Sequence, residues 1–271
     1  MPNVRFWGVQ GSCPGSYFKE NLGSNTSCVS IELGDTLIIF DSGTGIRTLS
    51  NTMNMDRFKH VVLLLTHSHW DHIQGFPFFS YLYQKKTLII YSHRQEHIYG
   101  LLNQINGTNY PLSNNTLPCH LKTITDIHRL NDALNTTITT IETNHQGNCI
   151  GYRVQAKDCD VCYIPDNQLH NPKTTSFDEF VSFCQDSNVL IHDSQYTPQD
   201  MPLKMHWGHS LYTDALNLAM RASVRQFVLF HHEPSRTKKD ILTMADDCKS
   251  KTKETKIIVA TELEGIDLLG N

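Results

Sequence analysis

Residues 58–72, "FKHVVLLLTHSHWDH", constrain this chain more than any other stretch. The unbroken apolar run Val61 to Leu65 reads as a buried β-strand, and its end delivers His67, His69, Asp71 and His72 within six positions. Imidazole and carboxylate are the ligand types that suit zinc and its neighbours. Two histidines one residue apart at a strand end can point to the same side. After the chain turns, Asp71 and His72 face a second nearby point. Four donors this close strain a single ion, which indicates two adjacent metals. The opposing reading is a chance surface cluster, since the chain holds 15 histidines. The position at the end of an apolar strand, an expected functional edge, weighs against it.

The rest of the chain supplies more strands and the helices between them. "NVRFWGV", "SCVSIEL" and "TLIIFDSG" read as strands near the start, with Gly8, Gly11, Pro14 and Gly15 marking an irregular loop after the first. A helix is expected within 94–105, followed by an irregular, Asn-rich middle, "INGTNYPLSNNTLP". "NTTITTIETNH", "NCIGYRVQA" and "DVCYIPD" then read as strands. "SFDEFVSFCQD" is a helix with Ser176 as N-cap and Glu179 at the capping-box position. "NVLIHDS", "QFVLFHHEP" and "KIIVATE" are later strands, separated by helices over "YTDALNLAMRAS" and about 238–250. Strands first, helices between later strands and no linker together predict one α/β domain over 1–271.

Three further donors end predicted strands: His145 after "TTITTIETN", Asp166 after "VCYIP" and His231 after "QFVLF". Alone, each reads as a solvated turn residue. Together they supply what the first four donors lack. His232 is adjacent and competes with His231, which comes first after the strand.

Composition narrows the class. At 271 residues with 39% hydrophobic and 18% charged residues, the chain reads as an ordinary soluble globular protein. A net charge of -4 argues against a broad basic face for nucleic acid, although it leaves a local basic channel open. No run approaches the ~20 apolar residues that cross a bilayer. The start lacks the apolar core of a signal peptide, so a cytoplasmic location is expected. In that reducing compartment the eight cysteines are expected as free thiols. The lone Cys159–Cys162 spacing, on a hairpin arm with no second pair, reads as structural.

With "THSHWDH" at 66–72 matching an H-x-H-x-D-H signature, "FDSGTG" at 40–45, and His145, Asp166 and His231 beyond, the chain resembles the metallo-β-lactamase superfamily of binuclear metal hydrolases. The resemblance covers nearly the whole length. It implies an αββα sandwich, two sheets face to face with helices outside. It also implies two Zn2+ ions, with Mn2+ as the alternative. His67, His69 and His145 would hold one, Asp71, His72 and His231 the other, and Asp166 would bridge both. Asp41 would accept from a ligand imidazole and fix its tautomer. His69 departs from flavodiiron oxygen reductases, which carry glutamate there. A bridging Asp166 suits phosphodiesterases better than true β-lactamases.

"GSCPG", "GSNTSCV", "LIHDSQYT", "WGHS" and "VLFHHEP" look like the phosphodiesterase side of the superfamily. They are similar to cyclic-nucleotide phosphodiesterases of the phage anti-Pycsar type and, more distantly, to the tRNA 3'-end nuclease RNase Z. Asp193 and His209 fall where RNase Z-like enzymes pair an acid with a histidine that protonates the leaving group. Asp71 joins them in the catalytic set. The alternative role for His209 is a cap on the helix beginning near Leu211, with Ser210 a second candidate cap. Asn25 and Thr26 lie on a loop expected near the site. Tyr110 is either a base-stacking aromatic or a loop anchor, in a middle segment suited to a lid or dimer contact.

RNase Z grips tRNA with a long glycine-rich, basic arm between its third and fourth metal motifs. Here that interval is a short strand pair with only Arg153 and Lys157 as basic residues. Structured RNA is therefore disfavoured, and a small nucleotide phosphodiester is expected, most plausibly a 3',5'-cyclic nucleotide. The competing readings are an RNase Z-like nuclease or other hydrolase acting on RNA ends, lactones or thioesters, and a nucleotide-binding protein without turnover. A homodimer follows only from the resemblance.

Overall fold

In a computed structural model, the structure describes residues 3–15, 22–170, 172–201 and 203–268. Two mixed sheets lie face to face. The first contains β1 (Asn3–Gly8), β2 (Cys28–Leu33), β3 (Thr36–Phe40), β4 (His60–Leu64), β5 (Thr87–Tyr91) and β6 (His120–Ile124) in sequence order, with the last strand, β13 (Gly265–Asp267), on the outer side of β1. The second runs β12 (Lys256–Val259), β11 (Gln226–Phe230), β10 (Val189–Asp193), β9 (Cys159–Ile164), β8 (Ile150–Ala156), β7 (Thr137–Glu142).

Alternation along the strands builds the layers. In β3, Ile38 and Phe40 face the opposite sheet, while Leu37 and Ile39 face outward into a second apolar layer. β4 divides its residues the same way, Val62 and Leu64 inward, Leu63 outward. In β11, Val228 and Phe230 meet the first sheet and Phe227 and Leu229 face the other way. Strands covered on both faces need apolar residues at every position, which is why "TLIIF" and "QFVLF" show no polar alternation. The outer layers are α1 (Gly45–Thr52) and α3 (Gln95–Leu102) on the first sheet, and α5 (Phe177–Cys184), α6 (Tyr212–Arg221) and α7 (Lys238–Lys251) on the second. Each fully buried Leu, Ile or Phe contributes roughly 1.5–3 kcal/mol. The result is the expected αββα sandwich.

The short α2 (Trp70–Ile73) follows β4, and α4 (Ile127–Leu134) joins β6 to β7 and inserts Leu130 between the sheets. The capping box at Ser176 and Glu179 forms as expected. β5, β6, β13, α1 and α4 go beyond the sequence reading. β6 alternates exposed and half-buried positions at a sheet edge, so it carries little apolar signal. The described cysteines are free, and Cys159 and Cys162 are buried on the β8–β9 hairpin. No helix among the described residues is long and apolar enough to cross a membrane.

Strand direction positions the site. β3 and β4 are parallel, as are β9, β10 and β11, and β7 and β9 both run antiparallel to β8. Asp41, His67, His145, Asp166, Asp193 and His231 therefore all lie at carboxyl ends of strands, where open α/β sheets present ligand-binding residues.

Candidate metal centre

The seven sequence-predicted donors converge from both sheets into two groups. One comprises His67, His69, His145 and Asp166, the other Asp71, His72, Asp166 and His231, with ligand atoms in each group within 4.8 Å of one another. Asp166 belongs to both and divides its oxygens. Oδ2 lies 3.4 Å from His145 Nε2 and 3.8 Å from His67 Nε2. Oδ1 lies 3.0 Å from His72 Nε2 and 3.2 Å from His231 Nε2. Asp71 Oδ2 sits 3.3 Å from His72 Nε2 and 3.2 Å from His231 Nε2. His69 presents Nδ1 to His145 Nε2 at 3.1 Å.

At His72 and His145 the ring nitrogen that does not face the cluster makes a hydrogen bond that orients the imidazole. His72 Nδ1 donates to Asp41 Oδ2 at 2.8 Å, and His145 Nδ1 donates to the Gly208 carbonyl at 2.8 Å. Each bond leaves Nε2 aimed into the cluster. Asp41 also accepts from the Thr66 backbone N–H and hydroxyl and from the Tyr163 hydroxyl. Thus Asp41 occupies the role the resemblance implied for it. Both Asp41 (φ 57°) and His231 (φ 59°) adopt left-handed backbone conformations just past their strands, an uncommon state for residues with a Cβ. The turn sends His231 inward. His232 faces away and donates Nε2 to the Ala260 carbonyl.

The donors fit a divalent metal. Among the described residues His67 Nε2, His72 Nε2 and Asp166 Oδ1 are buried without a hydrogen bond of acceptable geometry. Such atoms are costly unless something else satisfies them. All three belong to the two converging donor groups, as metal ligands would. The electrostatics agree. Burial alone would raise the Asp71 and Asp166 carboxyls, but the surrounding imidazoles hold both well below the usual carboxylate range. Burial pushes His67 well down and His145 to about 4, so both imidazoles stay neutral with a lone pair to offer. At His72 and His231 burial is outweighed by the carboxylates: Asp166, Asp71 and Asp41 hold His72 well above its usual value, and Asp166 and Asp71 hold His231 up at about 9, so this half of the cluster attracts positive charge.

Beside the second group, His209 Nδ1 donates to Asp193 Oδ2 at 2.8 Å, and its ring stacks on His231 with centroids 5.1 Å apart. Neither candidate cap serves α6. His209 is held by Asp193, while the Ser210 hydroxyl donates to the Asn167 carbonyl and accepts from Leu169 N–H. The Thr26 hydroxyl accepts from Thr44 N–H and the Gln74 amide, and Asn25 is held by Glu262. Tyr110 is a loop anchor. It accepts from the Tyr83 hydroxyl at 3.0 Å and meets Phe78 edge-on.

Three supporting residues had no sequence signal of their own. Ser12 N–H donates to Asp71 Oδ2 at 2.8 Å. Tyr163 looked like another core position. Asn167 donates its N–H to Asp193 Oδ2 and its amide to His192 Nε2, and accepts from Asn144 N–H. Only its place next to Asp166 hinted at a role.

Comparison with known proteins agrees with this geometry. The model of the beta-lactamase superfamily domain matches residues 36–232. Ribonuclease Z of Streptococcus mutans is 24% identical over 90% of this chain and 94% of its own. Ribonuclease Z of Thermoplasma acidophilum is 28% identical, but the match spans 32% of this chain and only 28% of that enzyme's length. The metallo-beta-lactamase fold protein YhfI from Bacillus subtilis superposes with a TM-score of 0.72 at 18% identity, covering 98% of both chains. Human tRNase Z, short form, gives 0.70 at 18% identity over 98% of this chain and 99% of its own.

Proposed function

The chain belongs to the beta-lactamase superfamily and has its metal-dependent hydrolase fold, and within it we propose a binuclear zinc phosphodiesterase acting on small phosphodiesters, foremost 3',5'-cyclic nucleotides. The observation that carries this reading is the division of Asp166 between two donor groups, one oxygen to each. Three imidazoles and a carboxylate oxygen about one centre, and two imidazoles and two carboxylates about the other, suit the nitrogen and oxygen preferences of zinc. Mn2+ would be accommodated best by the second, more oxygen-rich set. Bound there, a pair of divalent ions supplies Lewis acidity toward phosphoryl oxygens and an activated water.

The remaining chemistry belongs to side chains. Ser12 N–H holds Asp71 Oδ2, the oxygen that faces His72 and His231 and would help hold the second ion. Asp193, anchored by the backbone N–H groups of Asn167 and Gln195, orients His209 through Nδ1. That leaves His209 Nε2 to carry a proton to the departing oxygen of the ester. A protein that only sequestered nucleotides would need neither member of this pair.

Two features support a small substrate. The interval between His145 and Asp166 holds the β8–β9 hairpin, and its Arg153 is committed to Asp160 through two hydrogen bonds of 2.7 and 2.8 Å. The net charge of -4 gives little general attraction for a polyanion. A second reading, a nuclease acting on RNA 3' ends, is favoured by the ribonuclease Z relatives. Donors drawn from both sheets support reading 1–271 as one hydrolase domain. A cytoplasmic homodimer belongs to the same reading, and sedimentation tests the dimer.

The deciding experiment is a panel: 3',5'-cyclic purine and pyrimidine nucleotides, an aryl phosphodiester and a pre-tRNA. Hydrolysis of the cyclic nucleotides with pre-tRNA left intact is the expected result. Cleavage of pre-tRNA with the cyclic nucleotides untouched moves the chain to the second reading. Binding of nucleotides without turnover of any member would leave a sequestering protein.

A further inference from the structure

Of the three tryptophans, Trp7 is buried in the core, whereas Trp70 and Trp207 are 66% and 61% exposed. Both exposed tryptophans neighbour cluster residues along the chain. Trp70 stands between His69 and Asp71, and Trp207 precedes Gly208 and His209. An exposed indole leaves a large apolar surface in water, and here its backbone is held firmly. His145 donates to the Gly208 carbonyl, Gln146 donates to the His206 carbonyl at 3.0 Å, and Trp207 N–H donates to the Lys204 carbonyl at 3.1 Å. The rim that carries Trp207 is therefore tied directly to a candidate ligand, His145.

The side chains repeat the connection. Lys204 is paired with Glu233 at 3.0 Å, and its ammonium lies 5.8 Å from the centre of the Trp207 ring and 5.0 Å from that of Tyr196. Tyr196 in turn meets His209 edge-on at 5.6 Å. A row of contacts thus runs from His209 through Tyr196 and Lys204 to Trp207. The Lys204 ammonium lies near the indole, and Trp207 still remains 61% exposed.

We propose that Trp207 is the platform on which the nucleobase of the substrate stacks while its phosphodiester occupies the metal cluster. The inference rests on the phosphodiesterase reading and deepens it, because it makes a nucleoside group, rather than any phosphodiester, the preferred substrate. Every base has a π-face, so a single indole selects for the presence of a base without choosing among bases.

The test compares thymidine 5'-(4-nitrophenyl phosphate) with methyl 4-nitrophenyl phosphate, which share a leaving group and differ in carrying a nucleoside or a methyl group. The wild-type protein, loaded with zinc, is expected to prefer the first. In Trp207→Ala the ratio of kcat/KM for the two should fall about 5- to 160-fold, the range that stacking of one base commands, with the loss in KM. Trp207→Phe should restore most of it. Titration with 5'-AMP should quench tryptophan fluorescence in the wild type and far less in Trp207→Ala. An unchanged ratio in Trp207→Ala overturns the platform while leaving the phosphodiesterase reading intact. Equal losses on both substrates together with a change of oligomeric state in sedimentation also overturn it, and assign Trp207 to a subunit contact. If the wild type hydrolyses neither ester, the phosphodiesterase reading itself has failed.

Discussion

Asp193 Oδ2 accepts a 2.8 Å hydrogen bond from His209 Nδ1, and the pair sits against His231 at the edge of the metal cluster. An imidazole oriented in this way has one nitrogen committed and one free. Its value to catalysis depends on how badly the leaving oxygen needs a proton. His209→Ala should therefore slow cyclic nucleotides, whose leaving group is an alkoxide, by about 100- to 10,000-fold. A 4-nitrophenyl ester, whose leaving group departs unprotonated, should suffer far less. Steady-state kinetics on both substrates provide the check. Equal losses would remove the proton-donor role. Asp193→Asn should reproduce the pattern in milder form.

The buried, unpartnered nitrogens of His67 and His72 predict a dependence of stability on metal. The native state alone presents the assembled donors, so the loaded protein should gain RT ln(1 + [L]/Kd) over the stripped one, about 4 kcal/mol at a free metal concentration 1,000 times Kd. Calorimetry after chelation should show a lower Tm that readdition of zinc restores. Metal analysis of the loaded protein should find two equivalents per chain and a loss in His67→Ala. If aryl phosphodiester cleavage persists undiminished in His67→Ala, the two-metal mechanism is wrong.

Much of this site was legible in the sequence because its donors obey a rule of position. His145, Asp166 and His231 each follow an apolar strand, and the αββα architecture brings the ends of co-directed strands together. What holds those donors was not legible. Tyr163 and Asp41 are 122 positions apart, and Ser12 and Asp71 are 59 apart. Their contacts depend on how one sheet lies over the other, which no local pattern encodes. Asn167 reaches Asp193 from 26 residues away through a backbone N–H, a group every residue but proline carries. The preference for His231 over His232 rested only on its place directly after the strand, and what turns it inward was not legible. That turn is made by one left-handed backbone angle at His231.

Asp41 joins those two levels, since its carboxylate gathers Thr66, Tyr163 and His72 in a fully buried position. In Asp41→Asn the amide loses the charge that supports the His72 tautomer and basicity. Metal affinity should fall about 10- to 100-fold, as it does when such outer partners of ligating histidines are changed. Competition titration against a zinc chelator measures it directly. An unchanged affinity would reduce Asp41 to a packing element. Tyr163→Phe, which removes one donor of several, should weaken binding less.

Gly75 gives a test of how tightly the motif is packed into the fold. It follows α2, and its N–H donates to the Ser42 carbonyl at 2.9 Å. A Cβ at this position would lie 2.0 Å from the Gly43 carbonyl oxygen and 2.7 Å from its carbon, both backbone atoms. The obstacle is space, since its φ of -81° is open to any residue. Gly43 is equally confined, because a Cβ there would lie 2.3 Å from the Asp71 carbonyl oxygen. The Asp41–Gly43 turn and the Asp71–Gly75 turn therefore interlock, and neither can retreat without displacing donors. Gly75→Ala should cost about 1–3 kcal/mol, the usual range for forced overpacking. For a chain of this size that corresponds to a Tm lower by roughly 2–4 °C per kcal/mol. Because the strain falls on the turn carrying Asp71 and His72, zinc affinity should fall with it. A variant as stable as the wild type, with unchanged zinc binding, would show that the two turns are free to separate.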